Sequence, residues 1–429
     1  MSYSFILVTI LLILTKVPIT FCILFGSIFY LWDVGTINLV VIATKAIGGL
    51  NSFVMLAIPF FILASRIMSV GSIASRIMNF ATLLVGHLRG GLGIVNVFAS
   101  MIFAGMSGTA SGDAAGLGQI EIQEMIKAKY SPSLSAVITA MSSTIGPIIP
   151  PSVPFVIYGA LTSTSVGKLF LGGAIPGIFL GSCMMLLIYI LACRSGSKFG
   201  EKREKRAKFS EIFKSFKEAF LSLLTPIIII GGIIGGVFTP TESAVIAVFY
   251  SLFLTMFVYK EITIKDLPKI IFDSLMLSSL IMIIVGTTAI FGWVLLASGI
   301  TGKVVELLLS ISTQRWIILL VINIVLLILG CFMEVTALLV MFAPLFIPIM
   351  ETFHIDPVHF GVLLTLNLMI GLVTPPVGMA MYITCDLAKV KIKDFVKDSI
   401  PFYLLLIFVL LVITFFPTIV TFLPNLIMG

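Results

Sequence analysis

The chain predicts an all-α membrane protein built from two copies of one unit. Three observations predict it. Of 429 residues, 59% are hydrophobic and 10% charged, where a soluble domain carries about 25% charged residues. Several apolar runs reach the roughly 20 residues a helix needs to cross a bilayer. The chain also repeats itself. Displaced by 225 positions, Gly105 falls on Gly330, Met125 on Met350, Pro132 on Pro357 and Val137 on Val362. Ile145 falls on Ile370, Gly146 on Gly371, and Pro150-Pro151 on Pro375-Pro376, with no gap.

Taken in order, the spans are expected near 3–15, 17–31, 53–69, 135–160, 168–193, 220–238, 241–259, 275–297, 358–384 and 401–427. Two re-entrant hairpins are expected at about 92–127 and 316–350. The start lacks a basic n-region and an A-x-A cleavage pattern, so it reads as the first span. The first repeat covers 1–195, with hairpin 1 and a broken helix at 135–160; the second covers 220–429, with hairpin 2 and a broken helix at 358–384. Between them, 196–219 forms a cytoplasmic linker with the charge run Glu201 to Arg206. There Ile212, Phe213, Phe216 and Phe220 recur at helical spacing with lysines opposite, an amphipathic arm on the inner leaflet capped by Ser210. Gly173, Gly177 and Gly181, and Gly231, Gly232, Gly235 and Gly236, mark close packing within the chain. Five scattered cysteines read as small inert residues.

The net charge of +7 would suggest nucleic acid in a soluble protein; its distribution here gives a topology instead. With both termini outside, only Lys45, Lys168, Lys303 and Arg315 of the 26 basic residues lie outside, as the preference of Lys and Arg for the cytoplasmic side demands. Trp32, Trp293 and Trp316 then lie near the outer face. Each half has an odd number of spans, so the repeats are inverted, an arrangement found in transporters.

The breaks carry the chemistry. A proline has no N–H, so the carbonyl four residues earlier loses its helical donor. Pro147, Pro150 and Pro151 free the carbonyls of Ser143, Gly146 and Pro147; Pro375 and Pro376 free those of Gly371 and Leu372. In hydrocarbon each costs several kcal/mol unless satisfied, and sodium, a hard cation, suits such oxygens. The candidate sodium ligands, for two or more ions, are Ser107, Ser142, Ser143, Thr144, Gly146, Gly330, Glu334, Thr336, Asn367, Gly371, Thr374 and Gly378. The candidate substrate positions are Ser107, Gly108, Thr109, Ser111, Pro150, Pro151, Glu334, Thr336 and Pro375. Helix N-termini at the tips favour an anion, and Glu334 is an ionisable residue at membrane depth. On the returning arm of hairpin 1, Glu121 and Glu124 are expected near the cytoplasmic interface, and Asp113 reads equally as a site residue or a first-turn acid. His354 and His359 flank Asp356 in an outer, wet loop. A membrane protease would need paired aspartates with GxGD, or HExxH, and the chain has neither; a channel could also use exposed carbonyls.

Residues Phe103 to Gly118, Gly146 to Ser152, Phe238 to Glu242 and Gly371 to Gly378, in this order, resemble the signatures of the large membrane subunit of tripartite ATP-independent periplasmic (TRAP) transporters, DctM/SiaM type. Gly112 and Gly116 stand where the family often has alanine. The resemblance implies sodium-driven import of an organic acid, such as a C4-dicarboxylate or sialic acid, across a bacterial inner membrane by an elevator motion. It implies two partners, a periplasmic binding protein (DctP/SiaP type) and a separate small four-helix membrane subunit (DctQ/SiaQ type). A sodium-coupled anion symporter without a binding protein is the alternative, although the Ser-Asn-Thr tips of that group are missing.

Overall fold

The computed structural model describes residues 4–15, 17–35, 37–70, 73–194, 198–200 and 206–429, all helices and loops apart from one isolated bridge between Tyr130 and Phe199. Most of the charge run from Glu201 to Arg206, and Lys16, lie outside the described residues. In chain order the helices are α1 (Ser4–Leu14), α2 (Ile19–Val34), α3 (Val40–Leu50), α4 (Ala57–Val70), α5 (Ile73–Val85), α6 (Gly91–Ser107), α7 (Ala110–Ala115), α8 (Leu117–Lys127), α9 (Pro132–Ser143) and α10 (Val153–Thr162). They continue with α11 (Val166–Arg194), α12 (Phe209–Ile234), α13 (Pro240–Phe253), α14 (Leu267–Ala297), α15 (Ile300–Ile311), α16 (Arg315–Gly330), α17 (Val335–Thr352), α18 (Pro357–Val373), α19 (Met379–Ala388), α20 (Ile392–Phe415) and α21 (Thr418–Met428).

The 225-residue displacement extends far beyond the motif window. It carries α5 onto α15, α6 onto α16, α7 and α8 onto α17, α9 onto α18, α10 onto α19 and α11 onto α20. Packing is reciprocal. In the first repeat α10 lies against α17 and α18; in the second, α19 lies against α7, α8 and α9. Each half-helix thus packs on the other repeat, as a two-fold relation requires. The hydroxyl of Tyr158 on α10 donates to the carbonyl of Pro357 at 2.9 Å, pinning this exchange. Residues 358–371 of α18 are buried throughout, which places the broken helices at the centre. Large apolar side chains such as Phe272, Leu280, Leu404 and Phe408 cover the outside, a surface that suits lipid.

Several expectations change. Among the described residues seven helices, or eight with the pair Ile300–Ile311 and Arg315–Gly330 bent by 118°, are long and apolar enough to cross a membrane. The count falls below ten because prolines divide the broken helices and the first two helices are short. The linker boundary at 219 disappears: α12 runs unbroken from Phe209 to Ile234, and its first turn is closed by Glu211, which accepts from the Lys208 N–H at 2.8 Å, with Ser210 already inside. Helices α3, α5 and α15 occupy stretches expected to be loops. The glycine row of α11 does receive the chain: added methyl groups at Gly173 and Gly177 would meet Ile148, Phe155 and Ile149, and one at Gly181 would meet Met101. Gly231 and Gly236 face open space.

Candidate functional site

Each hairpin tip is stitched to the break of its own repeat. In the first repeat α6 ends at Ser107, the chain turns through Gly108 at φ 62°, and α7 follows Thr109. Only a residue without a side chain fits that turn, since a methyl group on Gly108 would stand 2.7 Å from the Pro151 carbonyl oxygen. The Gly108 carbonyl accepts from the Val153 N–H at 3.2 Å. In the second repeat α16 and α17 flank Cys331 to Glu334, and the Cys331 carbonyl accepts from the Val377 N–H at 3.1 Å. The Pro150-Pro151 and Pro375-Pro376 bonds are both cis.

Neither double-proline stretch carries a continuous helix. Helix α9 stops at Ser143 and α10 starts at Val153; α18 stops at Val373 and α19 starts at Met379. The freed carbonyls are fewer than the prolines predict. The Ser143 carbonyl accepts from Gly146 N–H, and the Gly371 carbonyl from Thr374 N–H, both at 3.1 Å. These are the tight i to i+3 bonds with which helix ends recover acceptors. The Pro147 carbonyl takes the Ser152 hydroxyl, whose oxygen also caps α10. Among the described residues, Gly146 and Leu372 keep carbonyls without a donor. The bare oxygens are therefore not the repeat-matched pair Gly146 and Gly371.

A methyl group added to Gly146 would lie 3.3 Å from the Thr109 carbonyl oxygen and 3.2 Å from that of Ser143; two residues before Thr109, the buried Ser107 hydroxyl has no partner among the described residues. The Ser143 and Thr144 hydroxyls donate to Ala140 and Met141 at 2.8 and 2.6 Å, leaving their lone pairs free. In the second repeat Gly330 and Gly371 touch backbone to backbone, and Gly378 sits against the carbonyls of Thr374 and Leu372. The Thr374 hydroxyl donates to Ile370 at 2.6 Å. Ser107, Gly108, Pro150 and Pro151 are buried, Thr109 is partly buried, and Ser111 is exposed. Glu334, Thr336 and Pro375 are half-buried, so the second site is the more open.

Ser142 and Asn367, matched by the repeat, are engaged elsewhere. The Ser142 hydroxyl donates to Asn96 Oδ1 at 2.6 Å, and Asn96 donates to the Thr139 hydroxyl at 2.8 Å. Asn367 donates to Asn323 Oδ1 at 3.0 Å, and Asn323 to the Thr414 hydroxyl at 2.9 Å. Each clamps its helix to the first arm of the hairpin beside it. Asn367 Oδ1 remains buried without a partner. Sequence reasoning missed Asn96 and Asn323, whose signal was a single asparagine within each largely apolar arm. Glu334 is the N-cap of α17: it accepts from Ala337 N–H at 3.0 Å and from the Thr336 hydroxyl at 2.9 Å. Its repeat mate is Thr109, the N-cap of α7.

Other acids and histidines are also relocated. Glu124 is exposed and pairs with Lys127 at 2.7 Å. Glu121, expected at the interface, is 1% exposed, and Asp113 2%. His359 is buried and bonds the Ile413 carbonyl at 2.8 Å, while Asp356 caps α18. No His, Cys, Asp or Glu cluster suits a transition metal among the described residues.

These features define a polytopic membrane protein in which two related helical units close around paired hairpins and broken helices. Its fold is that of the YdaH transporter of Alcanivorax borkumensis, with a TM-score of 0.66 at 12% identity over 88% of this chain and 87% of that one. The family model of the DctM component of the tripartite ATP-independent periplasmic transporter matches residues 6–419. The sialic acid TRAP transporter large permease protein SiaM of Vibrio cholerae is 41% identical over 97% of both chains. The C4-dicarboxylate large permease protein DctM of Pseudomonas aeruginosa is 37% identical over 90% of this chain and 89% of its own. The chain belongs to the DctM family of TRAP transporter large permeases.

Proposed function

We propose that this permease imports an organic acid, of the sialic acid or C4-dicarboxylate kind, coupled to sodium. A periplasmic binding protein delivers the acid, a small membrane subunit braces the permease, and the hairpins and broken helices move as an elevator against the outer helices in the bacterial inner membrane. Both termini face the periplasm. The observation that carries this reading is the meeting of the first break with its hairpin tip: the donorless Gly146 carbonyl lies on the residue that packs against the Thr109 carbonyl, and the same tip carries the buried, unpartnered Ser107 hydroxyl, all oxygen and all uncharged. Such a set suits a hard monovalent cation, as in other carriers whose broken helices line an ion site. A sodium ion there, and a second near Leu372, Thr374 and Gly330, places positive charge beside the hairpin tips. That charge, with the tip N–H groups, holds a carboxylate without arginine. The relatives named for sialic acid and C4-dicarboxylates support the substrate class.

The test is uptake into proteoliposomes of the permease with its small subunit. Uptake that needs both an inward sodium gradient and the matching binding protein bears the proposal out. Sodium-independent leak refutes coupling and points to a channel. Sodium-driven uptake of the free acid without a binding protein refutes delivery.

A further inference from the structure

The returning arm of hairpin 1 carries two acids that the proposed chemistry does not use. Both carboxylate oxygens of Asp113 and Oε1 of Glu121 are buried with no hydrogen-bond partner among the described residues. A buried carboxylate without a partner costs several kcal/mol, so such a group holds a counter-charge, a proton or a ligand. Among the described residues the surroundings supply no counter-charge. Helices α7 and α8 pack against α6, α9 and α19. Those three carry hydroxyls and amides, with Tyr382, Cys385 and Asp386 as their titratable groups; Asp386 is exposed and pairs with Lys389 at 2.9 Å. Helix α4 comes close at Gly112 and Gly116 with Ser65 and Ser69, and its Arg66 is exposed.

The repeat is an internal control. Displaced by 225 positions, Asp113 falls on Leu338 and Glu121 on Phe346, 0% and 5% exposed. The same unit folds with two apolar residues there, so the architecture does not require acids. They are added to one hairpin only, the one that the charge distribution places on the cytoplasmic side. The Asp113 N–H bonds the Thr109 carbonyl at 3.2 Å, one turn from the tip. Glu121 lies eight residues further toward Lys127, on α8, beyond the break at Gly116.

We propose that Asp113 and Glu121 are stepping positions for a monovalent cation, sodium or a proton, between the hairpin tip and the cytoplasm. Either ion neutralises a buried carboxylate. The proposal rests on the cation-coupled reading of the permease. Its test uses the complete complex in proteoliposomes, carrying whichever of sialic acid and succinate the unmodified protein takes up. Uptake is followed against external sodium, and again under an imposed pH gradient at saturating sodium. The variants are Glu121→Gln, Asp113→Asn and the double Asp113→Leu/Glu121→Phe, which transplants the residues of the second repeat. All are expected to fold with an unchanged or raised thermal midpoint and to lose about ten-fold or more of net uptake. If the ion is sodium, the Hill coefficient falls by about one and a pH gradient leaves the unmodified protein indifferent. If it is a proton, the unmodified protein responds to the gradient and the variants do not. Unaltered uptake, sodium dependence and pH response in the double variant overturn the proposal. Glu121→Gln keeps size and shape, so it decides the matter if the double variant fails to fold. Absence of any cation dependence in the unmodified protein would instead sink the coupling reading itself.

Discussion

The contact between hairpin 2 and the second break is glycine against glycine, and its two sides are unequal. A methyl group on Gly371 would stand 2.6 Å from the Gly330 carbonyl oxygen and 2.8 Å from its C and Cα; one on Gly330 would stand 3.3 Å from Gly371 Cα. Carbon and oxygen settle near 3.3–3.6 Å, so Gly371→Ala must push the facing backbones apart by roughly 0.7 Å or more. No flexible side-chain end is available to yield. Overpacking of this kind costs about 1–3 kcal/mol. Replacing a helical glycine by alanine returns up to about 1 kcal/mol. Gly371→Ala should therefore lose about 1–2 kcal/mol net, and Gly330→Ala should be neutral or slightly stabilising. In thermal unfolding of the detergent-solubilised protein, Gly371→Ala should lower the midpoint by about 2–5 °C. It should also weaken the sodium dependence of uptake, because the Gly330 carbonyl is displaced. A Gly371→Ala protein as stable as the unmodified one, or a Gly330→Ala protein that is the worse of the two, refutes the close approach of tip and break.

Ser143→Ala and Thr374→Ala should each insert and fold normally yet lose sodium dependence of uptake; normal sodium titrations in both would remove these hydroxyls from the ion sites. Asn323→Ala removes the Oδ1 that accepts from Asn367 and the amide that donates to the Thr414 hydroxyl in a dry contact, and should cost about 1–2 kcal/mol of thermal stability, read as a lowered midpoint. Tyr158→Phe deletes the single hydroxyl bond between α10 and Pro357 and should cost about 1 kcal/mol; an unchanged midpoint would show that the exchange between repeats is held by packing alone.

The repeat and both breaks were legible because glycine and proline act through the backbone, whose constraints are the same in both copies. The carbonyls were only half legible. Proline removes a donor four residues on, and that arithmetic correctly leaves Gly146 and Leu372 bare. It cannot see the chain tightening by one residue, which gives Ser143 and Gly371 a donor three residues on. Helix α3 was hidden for a related reason. Gly48-Gly49 weakens the helix pattern there, yet a methyl group on Gly49 would lie 2.3 Å from the Ala289 Cβ; the glycine is there for a close approach to α14. Short arms such as α5 and α15 fall below any span length, and packing against their neighbours supplies the order that hydropathy does not announce. Glu121 was misplaced because its proximity to Lys127 suggested the interface, while the arm tucks that face inward.

Comparing mates across the repeat separates what the fold needs from what the site needs. Both tips place an extended residue at the N-cap position of the next helix, Thr109 in one and Glu334 in the other, and only Glu334 caps with its side chain. Both broken helices need a polar clamp to the hairpin, met by Ser142 with Asn96 and by Asn367 with Asn323. The positions are shared; the donors differ. If the two sites handled the same ion in the same way, nothing would separate their side chains while the backbone stayed matched. The second site, half-open and with a carboxylate at its cap, differs electrically from the first, which is closed, neutral and backed by Asp113 and Glu121. On the proposed function, an acid lying between the tips would meet one wall without a carboxyl group and one that carries Glu334. In the proposed cycle a cation beside Glu334 would let the acid stay, so occupancy by ion and by acid is expected to rise and fall together.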